Sequence, residues 1–177
     1  MKKTMKLKNK HSGFSLIELM VTLAVATILV TIAIPGFRTL IQSNRASAQS
    51  NELLSAFTLA RSEAVKRGLR VSVCSSTDQA TCAASTNWAT GWIVFTDDTG
   101  TAGLKDGTDE IIRVWDALKG APTLTQTAGG NNVQYLGSGL VASATANKFT
   151  FSAADRANKY ICINNTGRAQ VIDTNCP

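Results

Sequence analysis

Hydrophobicity along the chain changes its period twice. Residues 1–13, MKKTMKLKNKHSG, are polar and carry five lysines and no acid. Phe14 to Ile34, FSLIELMVTLAVATILVTIAI, then runs for 21 residues with a single charge, Glu18. At helical rise this run spans about 31 Å, the thickness of one hydrocarbon core. β-branched residues are frequent in it, but in lipid an open-ended segment satisfies its backbone only as a helix. Pro35-Gly36 interrupts the run and predicts a kink or a short break, since proline removes a backbone donor and clashes with the preceding turn. A helical pattern resumes near Phe37 and reaches Arg67. Leu53, Phe57, Ala60 and Ala64 fall on one stripe, with Leu54 and Val65 beside it. That stripe is expected to pack on a sheet. Residues 42–51, QSNRASAQSN, are polar and are expected in solvent or against neighbouring subunits. Gly68 follows Lys66 and Arg67, two bases suited to a helix C-terminus, and ends the helix.

After Gly68 the period becomes two. Leu69, Val71 and Val73 alternate with Arg70 and Ser72. Further strands are predicted at 91–96, 110–115, 132–136, 147–152, 158–163 and 168–172, separated by turn sequences such as Asp97-Asp98-Thr99-Gly100 and Asn164-Asn165-Thr166-Gly167. One long N-terminal helix followed by an antiparallel sheet is an α+β plan. The expected organisation is a leader at 1–13, a transmembrane helix at 14–35, an amphipathic helix at 36–67 and a β-rich globular domain at 68–177.

Charge changes this picture less than it first suggests. The net charge of +6 invites a nucleic-acid reading, but the leader holds Lys2, Lys3, Lys6, Lys8 and Lys10. Without it, 13 bases face 12 acids. The leader also holds His11, the only histidine, so a trimmed chain lacks the commonest general base and metal ligand. Ser–His–Asp triads and histidine-containing zinc sites are thereby excluded, and an anchored periplasmic enzyme is the least favoured class. No cofactor is implied. Lysines precede the apolar run and none follows it closely, which predicts residues 1–13 in the cytoplasm and 38–177 across the membrane.

Glu18 separates this run from an ordinary signal peptide, which is shorter and uncharged. An ionised carboxylate at the centre of a membrane helix costs about 3 kcal/mol, and less near the interface, so Glu18 calls for a cation at its own depth. Cleavage between Gly13 and Phe14 would create one, the new α-amino group. Gly13-Phe14-Ser15-Leu16-Ile17-Glu18, with the apolar run and Pro35, resembles the class III signal of type IV pilins and type II secretion pseudopilins. The resemblance implies cleavage after Gly13 by prepilin peptidase, N-methylation of Phe14, and pairing of Glu18 with the Phe14 amine of an adjacent subunit. Ala60-Arg61-Ser62-Glu63-Ala64-Val65-Lys66-Arg67-Gly68, together with Gly91-Trp92-Ile93-Val94-Phe95, is similar to the GspH/FimT-type minor pilins and pseudopilins. That family implies a non-enzymatic subunit of the bacterial inner membrane that primes or caps a type IV pilus or type II secretion pseudopilus, with a slight lean to the pilus. Its implied partners are other major and minor pilins or pseudopilins, prepilin peptidase and the inner-membrane assembly platform.

Four cysteines in a translocated domain default to disulfides. Three connectivities exist; the local pairs Cys74–Cys82 and Cys162–Cys176 are preferred. Zinc is disfavoured because neither pair has C-x2-C spacing. The loop bounded by Cys162 and Cys176 resembles the disulfide-bounded region of type IV pilins.

Two surfaces invite binding. Segment 97–116 holds six acids against two bases, but the order DDTGTAGLKDGTDE does not fit an EF-hand, and a solvated hairpin is the simpler reading. Some FimT-like competence pilins bind DNA through a C-terminal G-R-x-R motif. Gly167, Arg168 and Ala169 match it here, and Gln170 stands where the second arginine would be. Lys148, Arg156 and Lys159 are the nearby cations that would compensate, which leaves a DNA-binding subunit as the alternative function.

Overall fold

The computed structural model describes residues 13–98, 100–120, 122–143, 146–152 and 158–176, with the side chains of residues 35, 38 and 39 excepted. The chain divides into two compact units, one ending at Ile41 and one beginning at Gln42. A single helix, α1 (Leu16–Arg67), contributes to both. No break occurs at Pro35-Gly36: helical structure is continuous through both residues. Proline deletes one backbone bond while the turns on either side keep theirs, and helices of membrane-spanning composition tolerate that loss.

In the first unit, Leu16–Ile34 is long and apolar enough to cross a membrane, and none of it is buried within the chain. Three threonines would be polar liabilities there. Thr22, Thr27 and Thr31 resolve this by donating their hydroxyls to the carbonyls of Leu19, Leu23 and Ile28, at 2.9, 2.8 and 2.7 Å.

The second unit holds eight strands in two antiparallel four-stranded sheets. In chain order they are β1 (Val71–Ser75), β2 (Trp92–Thr96), β3 (Ile111–Trp115), β4 (Thr123–Ala128), β5 (Asn132–Tyr135), β6 (Asn147–Ser152), β7 (Lys159–Ile163) and β8 (Ala169–Ile172). The first sheet is ordered β3-β2-β1-β5 and the second β4-β6-β7-β8. Leu53, Ala56, Phe57, Ala60 and Ala64 of α1 are fully buried against both sheets, in one core with Val73, Trp92, Phe149 and Ile161. Phe57, Trp88 and Phe149 form its centre, with ring centroids 4.9–6.1 Å apart. β1 and β2 are buried at every position, because Cys74, Ile93 and Phe95 pack as a second small cluster on the face away from the main core.

Burial on α1 begins earlier than the polar stretch 42–51 suggested. Ala46, Gln49 and Ser50 are buried. Gln49 donates its amide to the Lys119 carbonyl at 2.9 Å and Ser50 donates to the Ala46 carbonyl at 2.8 Å, so these polar groups enter the packing already satisfied. Strand β4 was not predicted. Its sequence TLTQTA offers one large aliphatic residue, Leu124, and its other inward position is Gln126. The Gln126 amide donates to Asn147 Oδ1 at 3.0 Å and to the Asn132 carbonyl at 3.3 Å, which lets a polar side chain occupy a core-facing position.

Candidate functional site: the assembly segment and the C-terminal groove

Gly13 and Phe14 lie ahead of the helix and are exposed, Phe14 at 79%. The first turn closes when the Leu19 amide donates to the Ser15 carbonyl at 3.1 Å. Glu18 sits in that turn, where the unpaired amides of a helix N-terminus favour a carboxylate. Among the described residues no cation forms an ion pair with it. An acid thus stands at the head of an apolar helix whose side chains are bare from Leu16 to Ile34.

The C-terminal cations are placed by two strands and a turn. β7 and β8 are joined through Asn164, whose Oδ1 accepts the Arg168 amide at 2.9 Å and the Thr166 hydroxyl at 2.7 Å. Gly167 takes φ +79° there, a conformation suited to glycine. In register across the sheet, Lys148 of β6 pairs with Cys162 of β7, and Cys162 with Gln170 of β8. Their side chains therefore share the outer face, away from Phe149, Ile161 and Val171. Cys162 bonds to Cys176 with Cα atoms 5.8 Å apart, folding the chain end over this row. A groove of about 270 Å³ results, lined in part by Lys148, Arg168, Gln170 and the disulfide. Lys148 Nζ also lies 5.5 Å from the Tyr160 ring centroid.

The structure thus brings together Lys148, Arg168 and Gln170 and separates Lys159. Lys159 pairs in register with buried Phe151, on the opposite face, and its ammonium is held by Asp173 at 2.8 Å. Neighbours in sequence along a strand point to opposite sides, which proximity in the chain concealed. Arg156 lies outside the described residues.

The other pair, Cys74 and Cys82, has Cα atoms 5.6 Å apart. Asp78 organises the loop between them. Its carboxylate accepts the Ala80 and Thr81 amides at 2.9 and 2.8 Å, the Thr81 hydroxyl at 2.7 Å and the Ser76 hydroxyl at 3.0 Å. The Ala80 amide foremost, then that of Thr81, holds the Asp78 carboxyl well below the usual carboxylate range.

Asp97 contradicts the solvated-hairpin reading of the acidic segment. It is fully buried, while its neighbour Asp98 is exposed. Asp97 Oδ2 accepts the Ser72 hydroxyl at 2.5 Å, the Gly103 amide at 2.7 Å and the Gln134 side-chain amide. One carboxylate oxygen therefore ties β1, β5 and the 98–109 loop together. No local sequence signal marks this role, because its donors come from three separated segments.

Such a fold, with an apolar N-terminal helix continuing into a two-sheet α+β head, defines a pilin-like protein. Residues 49–167 match the family model described as type II transport protein GspH, so the chain belongs to the GspH family of minor pilins and pseudopilins. Residues 8–34 match the prokaryotic N-terminal methylation motif. Among solved structures the fold is similar to the type IV minor pilin FimU of Pseudomonas aeruginosa strain PAO1. One FimU crystal form, in space group P21, aligns with TM-score 0.59 and 19% identity over 74% of this chain and 90% of that one. A second form, in P65, aligns at 0.55 and 18% over 71% and 91%. No curated protein matches the chain.

Proposed function

We propose that this protein is a structural, non-enzymatic minor pilin that helps to prime or cap a type IV pilus, or a type II secretion pseudopilus. In this reading residues 1–13 lie in the cytoplasm and prepilin peptidase removes them after Gly13. Phe14 is methylated, and its amine on one subunit meets Glu18 of the next. The observation that carries the reading is Glu18, an acid with no cation paired to it among the described residues, at the start of an exposed apolar helix. Bringing it into a filament core without a partner charge would be costly, so assembly selects subunits whose N-termini align the amine with the acid. The globular head crosses to the periplasmic side and makes lateral contacts with other subunits. Intact mass of the protein from the producing cell is expected to show loss of residues 1–13 and one added methyl group. Glu18→Ala is expected to abolish recovery of the chain in sheared filaments while leaving it in the inner membrane. A full-length mass, or undiminished incorporation of Glu18→Ala, overturns the proposal.

A DNA-binding role is the second reading. It is favoured by the shared groove that gathers Lys148, Arg168 and Gln170. Two phosphate-contacting cations predict a slope of about −1.8 for log affinity against log salt. Gel-shift titrations of the full chain in detergent measure that slope, and Arg168→Ala is expected to reduce it by about 0.9. No retardation at low salt removes this reading.

A further inference from the structure

Two sheets present four outer edges, and three of them are managed within the chain. The outer edge of β5 is bridged by Val141 opposite Tyr135, and the Ala142 amide donates to the Gln134 carbonyl at 2.9 Å. The outer edge of β4 is covered by residues 86–88: the Trp88 amide donates to the Leu124 carbonyl at 2.8 Å and the Gln126 amide to the Thr86 carbonyl at 2.9 Å. β8 is four residues long, and the chain beyond it is tied back to β7 by Cys162–Cys176. Among the described residues β3 has no such bridge, cover or tie. It has a strand neighbour on one side only, among the described residues. It carries Ile111, Ile112, Val114 and Trp115 with the single charge Arg113, and Val114 is 40% exposed. An edge of unpaired amides and carbonyls with apolar side chains and no proline is a template for another strand.

A cleft of about 450 Å³ runs beside this edge, between Val114–Lys119 and the α1 residues Arg45, Ala48, Gln49 and Glu52. Side chains of an added strand have room there. The charges say which strand. Seven-residue antiparallel pairing of β3 with a second copy would set Arg113 against Arg113 and Glu110 against Asp116. Like charges directly opposite one another destabilise a pair, so self-pairing in full register is disfavoured. An acid opposite Arg113 is favoured instead.

We infer that β3 accepts, by strand addition, an extended apolar segment with a central acidic residue from a different subunit of the same filament. This rests on the filament reading above and assigns the lateral contact of the head to one edge.

The test places the photo-crosslinking residue benzoylphenylalanine at Val114 of the full chain in the producing cell, with exposed Thr58 of α1 as the control position. The expected result is one adduct specific to Val114. Its cross-linked peptide should carry Asp or Glu and come from another protein with an apolar, Glu-containing N-terminal helix. Arg113→Glu should lower its yield about tenfold, the effect of a lost charge pair, while filaments still contain the chain. Changing the partner's acid to arginine should restore the yield. An adduct with a second copy, an adduct indifferent to Arg113→Glu, or no adduct in filaments that contain the chain overturns the inference alone. Absence of the unaltered chain from filaments overturns the filament reading, and this inference with it.

Discussion

Arg61 of α1 donates its Nε–H to the carbonyl oxygen of Gly139 at 3.0 Å, across 78 residues of sequence. Its Nη2 donates to the Thr166 carbonyl, also at 3.0 Å. One guanidinium thus locks the helix to the turns before β6 and between β7 and β8. Gly167 completes the junction. A Cβ there would collide with the Gly139 carbonyl oxygen and stand 3.2 Å from both Arg61 Nε and Tyr135 Cε1, at a φ of +79°. The glycine of the Gly167-Arg168 pair is therefore a packing requirement before it is part of any binding motif.

Gly167→Ala is accordingly expected to cost about 2 kcal/mol or more, from backbone strain and the lost close approach. Arg61→Ala should cost about 1 kcal/mol, since solvent can replace part of what an exposed guanidinium supplies. Denaturant titrations of both variants and of the double variant measure the coupling. A double-variant loss equal to the sum of the single losses would show that the two residues do not share a junction.

Phe57 packs the helix onto Phe149 of β6 and onto Trp88, whose backbone covers the β4 edge. Phe57→Ala leaves a void that rigid neighbours cannot fill and is expected to cost about 3–5 kcal/mol. Exposed Thr58, one residue on, should tolerate alanine within about 0.5 kcal/mol. Thermal unfolding of the full chain in detergent separates the two.

The Leu53–Phe57–Ala60–Ala64 stripe was legible because helical spacing and apolar chemistry coincide there. The same holds for the alternating strands from β5 to β8, each placed within about two residues. β4 escaped because Gln126 faces inward and is satisfied by partners that lie outside its own segment. Burial of Gln49 and Ser50 escaped for the same reason: composition reports polarity, not whether a donor has found an acceptor. Lys148, Arg168 and Gln170 were each visible as candidates, but their convergence, and the removal of Lys159 to the other face, depends on the β6-β7-β8 register. Register is a tertiary property that a local reading does not contain.

Acid is expected to act on the Cys74–Cys82 loop through Asp78. Hydrogen bonds from the Ala80 and Thr81 amides depress its folded-state pKa below the unfolded value. The stabilisation is present above the ordinary carboxylate pKa of about 3.9 and is lost as pH falls through the folded value. Asp78→Asn removes the titration while keeping an acceptor. Melting temperature followed from pH 6 to pH 2 should therefore fall less steeply for Asp78→Asn than for the parent chain. Parallel acid limbs would show that the carboxylate does not hold this loop.

Asp97 offers a sharper contrast between two substitutions. All three of its donors converge on Oδ2, and Oδ1 is buried with no hydrogen-bond partner. Asparagine can set its oxygen at the Oδ2 position and keep all three bonds, but its amide then takes the Oδ1 side, where no acceptor faces it. Asp97→Asn is therefore expected to cost about 1–3 kcal/mol, less than alanine at the same position. Asp97→Ala leaves the Ser72 hydroxyl, the Gly103 amide and the Gln134 amide without their acceptor at a buried position. At about 1–3 kcal/mol for each buried unsatisfied donor, a loss of at least 3 kcal/mol is expected. Hydrogen exchange localises the effect: the Gly103 amide should lose its protection in Asp97→Ala and retain it in Asp97→Asn. Equal losses from the two substitutions would mean that the negative charge, and not the geometry of a shared acceptor, holds the 98–109 loop to the sheet.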